Sequence, residues 1–439
     1  MRAPQSVPRP GVDRRRLLGA LTGLPLLVGG LAGCRPEEEA RVDDGPVELS
    51  VFWWGEAARA EATEHALRLY SQQNPQVRFR VTWQGLTGYY DRLATQAVGG
   101  NVPDLFQIDD TVLTEYARRE IVLDLSRYVA DNRLDLGDLP EHLARYGQVE
   151  GRTRAVPAAQ TNAALVYNRD LLRRLRQPEP RTGMPWKEYA QWAARVTRAS
   201  GNRVAGTVDP SGDYRALWLW LRGRGSEFYQ GRQLGFSSDE LIDWFEFWEV
   251  ARLDRALAVN PLVELADTGE PARHLVVTGQ TAASFAWSHQ LPELQRHTDD
   301  ELGMTILPGT PAAQWPRASM YWAAFRGTRH PGLVVDVINF LTVNVAAGRA
   351  LGTERGLNAS VPVRRFVEQG VTDRPGKRLV ALGTDLDDLM GPAPAPPPKG
   401  HARVRTLLVA TAERVRTKRT GARTATSRFM AEANAALAE

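Results

Sequence analysis

Cysteine is nearly missing: the 439 residues hold one, Cys34. A single thiol excludes an internal disulfide and any metal site built on cysteines. Lysine is almost as scarce, at Lys187, Lys377, Lys399 and Lys418, so nearly all basic charge is arginine. The formal net charge is only +4, and the first 33 residues account for it, with five arginines (Arg2, Arg9, Arg14, Arg15, Arg16) against Asp13. The rest of the chain is neutral and offers no electrostatic footprint for nucleic acid. One apolar run stands out, Leu17–Leu31. At about 15 residues it falls short of the roughly 20 that a membrane-spanning helix needs. No His-Glu-x-x-His, Gly-x-Ser-x-Gly, phosphate-binding loop or Gly-x-Gly-x-x-Gly occurs. Seven histidines (His65, His142, His274, His289, His297, His330, His401) are scattered without metal-ligand spacing. No cofactor, no metal and no catalytic residue is therefore expected.

What is present begins at the amino terminus. Arg14-Arg15-Arg16, the apolar run and the small residues before Cys34 are the three parts of an export signal. Asp13-Arg14-Arg15-Arg16-Leu17-Leu18 looks like a twin-arginine motif, with Asp13 and Leu17 in place of the usual Ser or Thr and Phe; general secretion is the alternative. Leu31-Ala32-Gly33-Cys34 resembles the bacterial lipobox, which implies cleavage before Cys34 and acylation of its thiol. At about 0.8 kcal/mol per buried CH2, two or more acyl chains hold a protein firmly to a bilayer. Residues 1–33 read as a signal peptide and 34–46 as a lipidated tether, which predicts an exported protein anchored to the outer face of the cell membrane.

Periodicity organises the rest. Val47–Trp54 reads as a strand and Ala57–Gln73 as a helix ended by Asn74-Pro75. Val77–Trp83 alternates cleanly, Tyr89–Val98 is helical, and Asp104–Asp109 is a third short strand. This βαβαβ rhythm predicts a largely parallel sheet with ligands near the carboxyl ends of its strands. Arg154–Asn168 reads as one extended segment leaving that sheet for another. Helical patterns run from Trp186 to about Arg255; strands follow at Gln280–Ala286, Leu302–Leu307 and Ser319–Phe325. Helices are expected at Val334–Asn344 and from about Arg403 to the end, after an extended proline connector at 392–398.

In order along the chain, Phe52-Trp53-Trp54-Gly55, Asn74-Pro75, Pro103-Asp104-Leu105-Phe106 and Val156-Pro157 with Leu165–Leu172 are similar to motifs of the extracellular solute-binding proteins of ABC importers, sugar-binding family 1. Gly279–Ala283, Leu302–Gly309 and Ile338–Leu341 with Val361-Pro362-Val363 continue the resemblance. It implies an α/β, two-lobed periplasmic-binding-protein-like (type II) fold, each lobe a mixed, mostly parallel sheet flanked by helices. The lobes would comprise 47–158 plus 309–351 and 159–308 plus 352–439, with crossings near Ala158–Asn162, Leu307–Gly309 and Leu351–Gly356. A small solute, a mono- or oligosaccharide, would be held between the lobes and delivered by a monomer to ABC permease subunits. A surface carbohydrate-active enzyme and a sensory solute-binding lipoprotein are the alternatives.

Sugars present hydroxyl rims and apolar C–H faces, which polar groups and aromatic rings respectively can meet. The candidate contacts are Trp54 and Glu56 after the first strand, Asp109 and Asp110 after the third, and Gln160 and Asn162 at the first crossing. The resemblance adds Tyr214 in the second lobe and implies that Trp287, after the Gly279 strand, is the stacking ring; Tyr321 and Trp322, just after the second crossing, complete the set. Trp53 should face the core if Trp54 does not, and Asp109-Asp110 can equally cap a helix. Trp218, Trp220 and the Trp244–Trp248 cluster read as a packed helix face. His289, two residues beyond Trp287, is a candidate solute contact, with a surface position the expected reading. At Pro398-Lys399-Gly400-His401 the chain departs from the family, which often places an aromatic ring there.

Overall fold

The computed structural model describes residues 46–262 and 270–438; the signal segment, Cys34 and the tether through Gly45 lie outside the described residues. β1 (Val47–Trp54) and β2 (Val77–Gln84) pair in parallel, Val47 with Val77, and β3 (Leu105–Ile108) lies on the other side of β1. Helices Ala57–Gln73 and Tyr89–Val98 connect them, at the bounds that periodicity and the Asn74 and Gly99 stops dictate. β4 (Val156–Thr161) runs into the crossing at Asn162 and resumes as β5 (Ala163–Asn168). β6 (Ala205–Asp209), β7 (Leu257–Leu262), β8 (Thr281–Trp287) and β9 (Leu302–Ile306) follow, then β10 (Arg317–Ala324) and β11 (Leu357–Asn358). The first sheet has the order β11-β4-β10-β3-β1-β2 and the second β7-β6-β8-β5-β9.

Both sheets are mixed and flanked by helices. Among the described residues, parallel pairing is confined to β1 with β2 and β3, and β6 with β7 and β8. Antiparallel pairing joins β10 to β3 and β4, β11 to β4, and β5 to β8 and β9. β4 stays in the first sheet through Thr161, which pairs with Arg317. The chain also remains on that sheet beyond the expected third crossing at Leu351–Gly356. Leu357 and Asn358 pair with Gln160 and Ala159, and helix Val361–Gly370 packs on helix Val345–Leu351. Only with helix Arg374–Asp387, against β9, does the chain return to the second lobe, so the boundary expected at 351/352 lies later.

Two further expectations need correction. The helical stretch from Trp186 to Arg255 is interrupted by β6, whose Ala205-Gly206-Thr207 is too short and small to show alternation; Gly206 lies against the Ala193 backbone. The expected carboxy-terminal helix is two, His401–Arg416 and Ala422–Ala438, folded back on each other through the turn before Gly421. Trp186, Trp220, Trp244 and Trp248 meet edge to face with centroids 5.3–6.1 Å apart, so the tryptophan-rich helices form second-lobe core. Residues 391–398 form no helix or strand. They touch both lobes, as Tyr146 donates to the Pro394 carbonyl and Arg222 to that of Pro392. No single helix among the described residues is long and apolar enough to cross a membrane.

Gly356 sits where this fold tolerates no side chain. Its φ is +114°, and a Cβ there would lie 2.3 Å from the Gln160 carbonyl oxygen of β4. Gly356→Ala is expected to lower unfolding free energy by about 1–3 kcal/mol, read from the urea midpoint. An unchanged midpoint would mean that the loop shifts freely off the strand.

Candidate functional site

A cavity of about 480 Å³ opens between the lobes, lined by residues of both. From the first lobe comes Trp54 at the end of β1. Alternation turns Trp53 fully into the core, while Trp54, 8 % exposed, reaches the cavity with Tyr89 at 5.1 Å and Tyr90 at 5.8 Å between ring centres. Asp109 and Asp110 follow β3, where the sheet ends at its carboxyl edge. Asp109 does cap the helix Asp110–Arg118, accepting from the Thr111 amide at 3.0 Å, and it also lines the cavity. Burial, with Asp110 alongside, raises the Asp109 carboxyl above its ordinary value. Burial pushes Asp110 the same way, but Arg317 and Arg405 outweigh it and hold Asp110 low.

Arg317, the first residue of β10, joins the lobes at this point. It forms a buried ion pair with Asp110, donates to Tyr214 Oη at 3.0 Å, and lies 4.6 Å from the centre of the Trp287 ring. Tyr214 begins the helix Tyr214–Arg222, whose cap Asp213 accepts from the Arg215 and Ala216 amides and pairs with the Arg215 guanidinium. Arg215 in turn lies 4.9 Å from the Trp287 ring centre. Trp287 ends β8 and is held by the Gln290 side chain, which accepts from its amide at 2.8 Å.

Five expected residues thus meet in one cavity: Trp54, Asp109, Asp110, Tyr214 and Trp287. The other five do not line it. Glu56 turns to the outer rim and pairs with His297. Gln160 accepts from Arg364 and faces a second cavity of about 650 Å³, whose lining contains no Trp, Tyr or Phe. Asn162 laces the crossing to the end of β8, its amide donating to Ser288 Oγ and its carbonyl accepting from the Ser288 amide. It thereby positions the turn after Trp287. Tyr321 and Trp322 are core, each 1 % exposed, because they pair with Ile108 and Gln107 in mid-sheet. The strand starts at Arg317, so Arg317–Met320 reach the cleft instead.

Sequence reasoning missed Tyr90, Arg215, Arg317 and Arg405, all in the lining, and His289, for which a surface position was expected over solute contact, lines it too. Tyr90 follows a buried tyrosine at a helix start, and Arg405 lies one turn after His401; neither spacing marks a site. His289 is buried rather than a surface residue, with Nδ1 3.0 Å from Thr161 Oγ1. The helix that carries Arg405 starts at Gly400, whose φ of +88° and close approach to the Ala436 carbonyl exclude a side chain. His401 packs edge-on against Tyr214 at 5.1 Å and lies 2.7 Å from Tyr229 Oη.

Burial, aided by nearby arginines, pushes both His289 and His401 from 6.5 down to about 3. The folded state therefore holds them neutral while the unfolded chain takes up protons below pH 6.5. Stability rises with pH across that window and is lost as pH falls from 6.5 towards 3, at up to about 1.4 kcal/mol per unit for each. Urea midpoints from pH 7 to 4 should fall, and His289→Gln should make the slope shallower; an unchanged slope would assign the pH dependence elsewhere.

The lining balances its charges: Asp109, Asp110 and Asp213 face Arg215, Arg317 and Arg405, with His289 neutral. Rings from Trp54, Tyr90, Tyr214 and Trp287 and hydroxyls from Thr111, Ser319 and Thr406 complete the wall. No group of three or more His, Cys, Asp or Glu among the described residues is placed to hold a metal ion.

The profile of the family described as bacterial extracellular solute-binding protein matches residues 54–347. A family 1 extracellular solute-binding protein from Alicyclobacillus acidocaldarius is similar over 90 % of this chain and 99 % of its own, at 23 % identity and TM-score 0.63. A periplasmic oligogalacturonide-binding protein from Yersinia enterocolitica, solved with digalacturonic acid, is similar at 16 % identity and TM-score 0.73, covering 89 % and 98 %. An ABC substrate-binding protein from Listeria monocytogenes in complex with cycloalternan is similar at 18 % identity and TM-score 0.75, covering 89 % and 99 %.

Proposed function

The chain belongs to the bacterial extracellular solute-binding protein family, and from that premise we propose that it captures an uncharged oligosaccharide in the cavity between its lobes and passes it, unaltered, to an ABC permease. Acylated Cys34 would keep it at the outer face of the membrane. The observation that carries the reading is the cavity wall: four aromatic rings from two lobes around a space of about 480 Å³, with charges that cancel. Rings can cover the C–H faces of a sugar, while carboxylates and guanidiniums engage its hydroxyls in a site of ordinary small-molecule size. Solutes of two of the structural relatives, cycloalternan and digalacturonic acid, are oligosaccharides. Balanced charge favours the uncharged class over a uronate, whose carboxylates would need unpaired arginine.

Binding would act on a pre-existing equilibrium of open and closed lobes. Contacts from both lobes exist only when closed, so a solute shifts the population by its differential affinity. Arg317 suits this role, because it bonds Asp110 in one lobe and Tyr214 in the other.

The test is thermal unfolding against maltotriose, isomaltotriose, cellobiose, mannotriose and digalacturonic acid. A solute present at 100 times its Kd stabilises by about 2.7 kcal/mol. At least one neutral sugar should raise Tm while digalacturonic acid does not. A shift with digalacturonic acid alone would reverse the assignment of charge class.

A further inference from the structure

Outside the cavity, one edge of the cleft is crossed by three charged contacts, each with one partner per lobe. Glu56, ahead of the Ala57–Gln73 helix, receives His297 Nε2 at 2.8 and 3.0 Å on its two oxygens. Arg296 makes two parallel bonds to Glu354, at 2.9 and 3.1 Å. Arg59 lies 3.5 Å from Glu293. Glu56, Arg59 and Glu354 belong to the first lobe: Arg59 donates to the Glu354 carbonyl, and Arg355 beside it is bonded to Gln107 and Thr63. Glu293, Arg296 and His297 sit at the Leu291–Gln295 helix of the second lobe, packed near β9.

We infer that this charged cluster is a clasp that holds the lobes together independently of solute and tightens when His297 carries a proton. The inference rests on the reading that the lobes close over a solute. Three carboxylates (Glu56, Glu293, Glu354) face two guanidiniums (Arg59, Arg296), so the cluster carries −1 with a neutral imidazole and zero with a protonated one. A histidine side chain changes charge within the range that extracellular fluid spans. The other charged or titratable groups near this edge are Glu270, His274 and the buried His289, at the small cavity between Glu56 and Glu293, Arg355 beside Arg59 and Glu354, and Asp299, two residues beyond His297. The clasp reaches the solute cavity through one bond, as Arg59 also donates to the carbonyl of Trp54 at 3.1 Å. Protonation would add attraction only while the lobes touch, so acid should favour closure. Partly exposed pairs of this kind are worth a factor of about two to five in an equilibrium.

The experiment measures the distance between nitroxides on Val98→Cys in the first lobe and Leu253→Cys in the second, both exposed, in the full chain carrying Cys34→Ser and without added sugar. The wild-type clasp should give a closed-to-open ratio about two- to fivefold higher at pH 5.5 than at pH 8. His297→Gln keeps a hydrogen-bonding side chain but no titration, and should stay at the pH 8 ratio at both values. Arg296→Gln should lower the ratio at both. Equal wild-type distributions at the two pH values, or a pH response that survives His297→Gln, would overturn the inference. No sugar enters the measurement, so its outcome is separate from whether the cavity binds an uncharged oligosaccharide.

Discussion

Arg317→Met should cost about 3–5 kcal/mol of unfolding free energy, because it strands a buried carboxylate. Arg317 and Asp110 side chains are 7 % and 11 % exposed, and their ion pair is the main influence holding Asp110 low against burial. The loss should be largely recovered in Asp110→Asn combined with Arg317→Met, since removing both charges removes the desolvation penalty as well as the attraction. A double-mutant cycle on urea unfolding reads this directly. Strict additivity of the two changes would show that the pair does not interact and that Arg317 is held by Tyr214 and Trp287 alone. The same variants should weaken solute binding, because the residue linking the two lobes at the cavity is lost.

Trp54→Ala and Trp287→Ala should each raise the Kd for the best sugar of the panel by about 10- to 100-fold, or about 1.4–2.8 kcal/mol. The two rings come from opposite lobes, Trp54 from the end of β1 and Trp287 from the end of β8. Trp287 has a further duty, since Arg215 and Arg317 both lie against its ring. Trp287→Phe should therefore bind better than Trp287→Ala, and Trp54→Phe likewise. Near-native far-ultraviolet circular dichroism would separate loss of binding from loss of fold. An unchanged Kd in Trp287→Ala would clear that ring of contact with the solute.

Strands and helices with strong periodicity were legible in the sequence: Val47–Trp54, Ala57–Gln73 and Tyr89–Val98 fall where their patterns place them. The positions that were misread have no local signature. β6 is five residues with two small ones, and only its partners β7 and β8 make it a strand. Tyr321 and Trp322 look like cleft residues because they follow a crossing, yet register puts the strand start four residues earlier, at Arg317. Residues near the end of β1 or β3 could be nominated for the site because parallel strands deliver side chains to one sheet edge. Arg215, Arg317 and Arg405 could not, as their role depends on lobe-to-lobe distances that no spacing encodes. Asp109 shows that two readings of one residue need not compete, since it caps a helix and lines the cavity at once.

The central claim is capture without chemistry. Native mass spectrometry of the purified protein, after incubation with the sugar that raises Tm most, weighs the complex and then the solute released from it. One intact sugar per chain, recovered at its starting mass after prolonged incubation, is the predicted result. Shortened or eliminated sugar products, or no complex with any uncharged oligosaccharide, would contradict the account.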